Sequence, residues 1–122
     1  VHLLGAEATL SVLSAVSLQC STGSSQVRPL VDLVAMAQTD LEVGQILKLG
    51  VRHVITGLSH ALHPAKILSQ GNPIPYYLCA GLKIRRRVLT GELLLCDDVE
   101  LETQSTLYQL RKSQDQHFMN AA

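Results

Sequence analysis

The stretch LKIRRRVLTGELLLCDDV, residues 82–99, reads as strand, tight turn, strand and acidic stop. Leu82, Ile84 and Val88 fall on one face of an extended segment, and Lys83, Arg85 and Arg87 on the other. Thr90-Gly91 supplies the turn, because glycine takes positive φ without a Cβ clash. Leu93-Leu94-Leu95 is an apolar run long enough for a buried strand, and Asp97-Asp98 ends it.

The pattern occurs once before. Residues 35–47, AMAQTDLEVGQIL, lie on residues 82–94 without a gap, and one offset of 47 takes Gly44 to Gly91 and Asp40 to Arg87. Ala35, Ala37 and Leu41 fall on Leu82, Ile84 and Val88, and Gln45 falls on Glu92. Two copies of a strand–glycine turn–strand unit predict a pseudo-symmetric β domain made of two interlocked halves.

Working outward, 122 residues suffice for one domain, or one domain with an appendage. Ten Lys and Arg balance ten Asp and Glu, so no net field points to nucleic acid or to a membrane surface. One Phe, three Tyr and no Trp leave few rings on which a base or sugar can stack, and the core must be Leu, Val, Ile and Ala. Cys20, Cys79 and Cys96 are odd in number and have no CxxC spacing. They predict neither a disulfide framework nor a zinc site, and fit a reducing cytoplasm. The N-terminus lacks the basic region of a secretory signal, and its apolar stretch is shorter than the roughly 20 residues that span a bilayer.

Residues 7–20 read as a helix. Ser11, Ser14 and Ser17 form a narrow polar stripe, and Ala, Val and Leu fill the remaining circumference. Such a helix is either a core element or an interface element, and both readings are open. STGSS at 21–25 is a linker. Residues 31–37 and 51–55 read as strands. Residues 56–66 read as a loop carrying His60 and His63, with Pro64 disfavouring helix and no third ligand at a supporting spacing. A short helix is expected over 106–112, with Ser105 as a candidate cap, and a frayed tail from Gln114 onward. The domain organisation is therefore residues 1–28 (strand end, helix and linker) followed by residues 29–122 (the β domain).

Asp40-Leu41…Gly44…Leu47 and Val88…Gly91-Glu92…Asp97-Asp98-Val99 resemble the SAF domain. That is the β-clip fold shared with the sialic acid synthase C-terminal domain and type III antifreeze proteins. A broader succession starts at His2-Leu3, Gly5 and Glu7-Ala8. It continues through VDLVAMAQTDLEVGQIL at 31–47 and Gly81-Leu82-Lys83-Ile84 to Glu100. It is similar to the C-terminal part of homoserine-dehydrogenase-like NAD(P)-dependent oxidoreductases, the group that includes the enzyme resembling deoxyxylulose-phosphate reductoisomerase. The resemblance implies a mainly β fold with one or two helices: a β-clip preceded by an N-terminal helix. It also implies a non-catalytic module that serves oligomerisation or substrate-site closure, as a homo-oligomer or packed on an upstream enzyme domain. NAD(P) belongs to the parent family. This chain has no GxGxxG turn to hold it, so no cofactor, metal or catalytic residue is assigned here. The alternative is a stand-alone β-clip protein that binds a small anion or carbohydrate.

The ligand candidates are Lys83, Arg85 and Arg87, three cations on one face about 7 Å apart, able to grip a carboxylate or phosphate. The competing reading is a solvated edge kept from aggregating by its charge. Arg86 falls on the core face and must snorkel or pair with Asp97 or Asp98. Adjacent on the chain, Asp97 and Asp98 suit turn chemistry rather than a shared substrate.

Overall fold

The run VDLVAMA, apolar but for Asp32, forms strand β1 (Val31–Ala37) in the computed structural model, which describes residues 4–23 and 27–119. The strand end expected over residues 1–4 falls mostly outside the described residues, as does the second half of the 21–25 linker. Helix α1 spans Leu4–Ser17, strand β2 Leu58–Pro64 and helix α2 Thr106–Met119. Val51–His53, Tyr76–Leu78 and Cys96–Asp98 are single 3-10 turns. The described chain is thus a small mixed domain of two helices and a two-stranded antiparallel sheet.

β1 and β2 pair from Val31 opposite Pro64 to Ala37 opposite Leu58. Among the described residues, regular β structure stops there. The rest of the β character consists of extended segments joined by isolated bridges, among them Val34 to Pro75, Met36 to Leu93, Leu41 to Val88 and Ile46 to Lys83. Sequence expectation put a loop where β2 runs, because two histidines and a proline break the usual strand composition. Pro64 stands at the strand's end, where a missing N–H is tolerated. The strand expected at 51–55 is a 3-10 turn followed by one bridge, Leu49 to Ile55.

The bridging hydrogen bonds exchange under the 47-residue offset. Leu41 N–H donates to Val88 O at 2.9 Å, and Val88 N–H donates back to Leu41 O at 3.1 Å. Gly44 N–H reaches Ile84 O and Gly91 N–H reaches Ala37 O, both at 2.8 Å. Leu47 N–H to Leu82 O (2.8 Å) has its counterpart in Leu94 N–H to Ala35 O (2.9 Å). Ala37 N–H to Glu92 O matches Ile84 N–H to Gln45 O. Each bond maps onto its mate when the two segments are swapped, which is the signature of a local two-fold axis between Leu41 and Val88. The turns match too. Gly44 and Gly91 have φ of 87° and 86°, Gln45 Oε1 accepts the Glu42 N–H, and Glu92 Oε2 accepts the Leu89 N–H. Nothing lies within 4 Å of a Cβ added at either glycine. Gly44→Ala and Gly91→Ala should therefore each cost only the left-handed backbone strain, about 1–2 kcal/mol, and the same amount at both sites in urea unfolding. A negligible cost at either would mean that its turn relaxes out of this conformation.

The core takes in both residues at the axis, Leu41 and Val88. Leu41, Leu47, Ile74 and Leu94 are fully buried, with Ile55, Leu58, Ile84, Val88 and Val99 packed around them. Helix α2 is capped by Ser105, whose Oγ accepts the Tyr108 N–H at 3.3 Å. It runs seven residues past the expected end at Lys112. The reason is Asp115, buried in the expected tail.

Candidate functional site

The three expected cations do not act as one row. Lys83 lies 3.6 Å from Glu100. Arg87 meets two carboxylates, Asp40 at 2.9 Å and Glu42 at 3.1 Å. Asp40 and Arg87 are counterparts in the two repeats, so they face each other across the two-fold axis. Opposite signs there convert what would be a like-charge clash into an ion pair. Asp40 Oδ1 also accepts the Thr90 N–H at 3.0 Å and the Thr90 hydroxyl at 2.9 Å. These bonds, more than the nearby guanidinium, hold the Asp40 carboxyl below the usual carboxylate range. Arg85, the third, has no carboxylate partner among the described residues.

Arg85 instead lines an open cleft of about 650 Å³ with Arg86. Both are set by Asp98, which is almost wholly buried. The Asp98 carbonyl accepts the Arg85 N–H at 2.7 Å, its Oδ1 takes Arg86 Nε at 2.7 Å, and its Oδ2 takes the Leu95 N–H at 2.9 Å. Arg86 stays exposed and pairs with Asp98, one of the two partners the sequence allowed. Asp97 turns both carboxylate oxygens to the Gly71 N–H at 3.2 Å. Ser69, Gln70, Thr103 and Tyr108 complete the polar lining.

A second charged cluster escaped the sequence reading. Arg111, 2% exposed, lies on α2 and reaches Asp32 of β1. Its Nη1 and Nη2 reach Asp32 Oδ1 and Oδ2 at 2.8 and 2.7 Å, and its Nε reaches Asp115 Oδ1 at 2.7 Å. Nη2 also donates to Lys66 O at 2.6 Å, and Asp115 Oδ2 accepts the Leu68 N–H at 2.6 Å. Desolvation works to lower the guanidinium's pKa, and the hydrogen bonds to Asp32, the Tyr77 hydroxyl and Asp115 together outweigh it and raise it. Two sequence signals mark the cluster: Asp32 interrupts an apolar strand, and Arg111 and Asp115 are spaced i, i+4 on α2.

The remaining reactive groups are placed structurally. Burial raises the Cys79 thiol far above its ordinary range and pushes Cys96 up to about 11, so neither is a thiolate at neutral pH. His60 packs edge-on against Tyr76, whose hydroxyl accepts the Ile55 N–H at 2.9 Å. Among the described residues no three His, Cys, Asp or Glu side chains are grouped to hold a metal ion.

Helix α1 presents its apolar sides to solvent, with Leu10, Val12, Leu13 and Val16 between 54% and 74% exposed. Its polar stripe turns instead to its own following loop, where the Ser11 and Thr22 hydroxyls lie 3.1 Å apart. The core reading of this helix is therefore not what the structure shows: α1 lies exposed on the described chain. Among the described residues no helix is long and apolar enough to cross a membrane. Comparison with protein-family models finds no match, and none is found among the curated proteins.

Proposed function

We propose that the chain is a non-catalytic β-clip module of the SAF type, belonging to an NAD(P)-dependent oxidoreductase of the homoserine-dehydrogenase-like group. In that setting it serves oligomerisation or substrate-site closure, and NAD(P) binds to the parent enzyme's cofactor domain. The reciprocal hydrogen bonds about the Leu41–Val88 axis support the β-clip part of this reading, because a β-clip is two such units wrapped around each other. The observation that carries the functional part is α1. Four large aliphatic side chains exposed together on one short helix are costly in water and mark a protein contact. Glu7 is the helix's only charged residue, so α1 lacks the basic face that holds an interfacial helix on an anionic membrane.

Sedimentation velocity tests the contact. The chain should self-associate with rising concentration. The triple variant Leu10→Gln, Leu13→Gln, Val16→Gln should sediment as a monomer while the body unfolds at an unchanged urea concentration. A chain that is monomeric at every concentration, with or without the triple substitution, would sink the oligomerisation reading.

A further inference from the structure

The cleft walled by residues 68–70, 85–86, 96–97, 99, 101, 103 and 108 holds donors that the fold does not use. Arg85 has no carboxylate partner among the described residues. Arg86 gives only Nε to Asp98, leaving the Nη1 and Nη2 fork open to solvent. The Ser69 hydroxyl accepts from Asn72 Nδ2 at 2.8 Å and so keeps its own proton to donate. Gln70, Thr103 and Tyr108, whose side chains carry an amide and two hydroxyls, also line it. From this convergence of two guanidiniums with neutral donors, we infer that the cleft binds a tetrahedral oxyanion, the phosphate group of a small molecule.

Three features make the site specific to this chemistry. First, a buried anchor orients one arginine: Asp98 holds the Arg86 Nε, so its fork is directed before a ligand arrives, and the Asp98 carbonyl pins the Arg85 backbone at the cleft wall. Second, donors approach from separate segments of chain, which suits the three terminal oxygens of a phosphate monoester better than the two coplanar oxygens of a carboxylate. Third, Asp97 is the one carboxylate in the lining among the described residues, and its two oxygens are drawn to the Gly71 N–H. It weakens the positive field without closing the cleft. The inference does not depend on the oxidoreductase reading. It requires only the placement of residues 69–70, 85–86 and 97–108.

The test is a titration of the isotopically labelled full chain with inorganic phosphate at neutral pH, followed by amide chemical shifts. Saturable shifts at Gln70, Arg85, Arg86, Thr103 and Tyr108 are expected, and an equal concentration of acetate should not reproduce them. Arg85→Ala should weaken phosphate binding at least about tenfold, the scale of one charge-assisted hydrogen bond. Asp97→Asn should tighten it. Arg52→Ala, at an exposed arginine outside the cleft, should change nothing. Arg85 is exposed and only its backbone is bonded, so its truncation should leave the fold intact, and the wild-type shift map stands independently of any variant. Absent or non-saturating shifts, shifts equally strong with acetate, or undiminished affinity in Arg85→Ala would overturn the inference.

Discussion

Arg111→Ala is expected to destabilise the domain by about 3–5 kcal/mol, a large share of the 5–15 kcal/mol that holds a typical domain together. The side chain is 2% exposed and makes four close contacts, two to Asp32, one to Asp115 and one to the Lys66 carbonyl. Truncation removes the only cation bonded to those two carboxylates among the described residues. It leaves them facing one another in a site with little water, together with an unpaired carbonyl. It also detaches the segment at 66–68 from α2, because Asp115 holds the Leu68 N–H only while its own position is fixed. Urea unfolding should show the loss as a lowered midpoint, and α2 amides should exchange faster than the core. Arg111→Lys should recover little, since an ammonium is a point charge and cannot match the Asp32 carboxylate with two parallel bonds. A triple replacement, Arg111→Met with Asp32→Leu and Asp115→Leu, should restore most of the stability, because an apolar trio of similar volume carries no desolvation penalty. A loss below about 1 kcal/mol for Arg111→Ala would place it with exposed ion pairs and remove α2 from the folding unit.

How much of this was legible beforehand depends on whether the information was local. The alternation of Leu82, Ile84 and Val88, the two turn glycines and the 47-residue offset sit in short windows, and the structure keeps each of them. The Arg86–Asp98 pair was also foreseeable, since an arginine on a core face must find a carboxylate within reach. Strand β2 was not legible. Its stability comes from the register against β1, and its own residues, two histidines and a proline among seven, carry a weak strand preference. The length of α2 failed for a similar reason. Residues 114–117 are polar in sequence, and the helix continues through them because Asp115 finds Arg111 and the Leu68 N–H, a partner 47 residues away. The cation row was legible only in its placement. Spacing correctly put Lys83, Arg85 and Arg87 on the exposed side, but could not show that Glu100, Asp40 and Glu42 engage two of them and leave Arg85 to the cleft.

The second large effect tests the two-fold relation itself. Leu47 and Leu94 are counterparts under the offset, and both are fully buried. Leu47→Ala and Leu94→Ala should each cost about 2–5 kcal/mol, the range for an aliphatic side chain removed from a packed core. Within that range the cost depends on how far the surroundings collapse into the cavity. The backbone at both positions is tied to the opposite repeat by matching bonds, Leu47 to Leu82 O and Leu94 to Ala35 O. Neither segment can move inward without breaking a bond across the axis, so collapse should be limited equally and the two costs should agree within about 1 kcal/mol. The bonding partners differ in size, Leu82 against Ala35, so any inequality should follow packing: the side of the core with the smaller neighbour has less to fill the void, and Leu94→Ala should be the costlier. Urea unfolding of both variants decides it. A Leu94→Ala loss several kcal/mol smaller than that of Leu47→Ala would mean that the two leucines do not occupy equivalent places, and that the shared turn geometry stops short of the core.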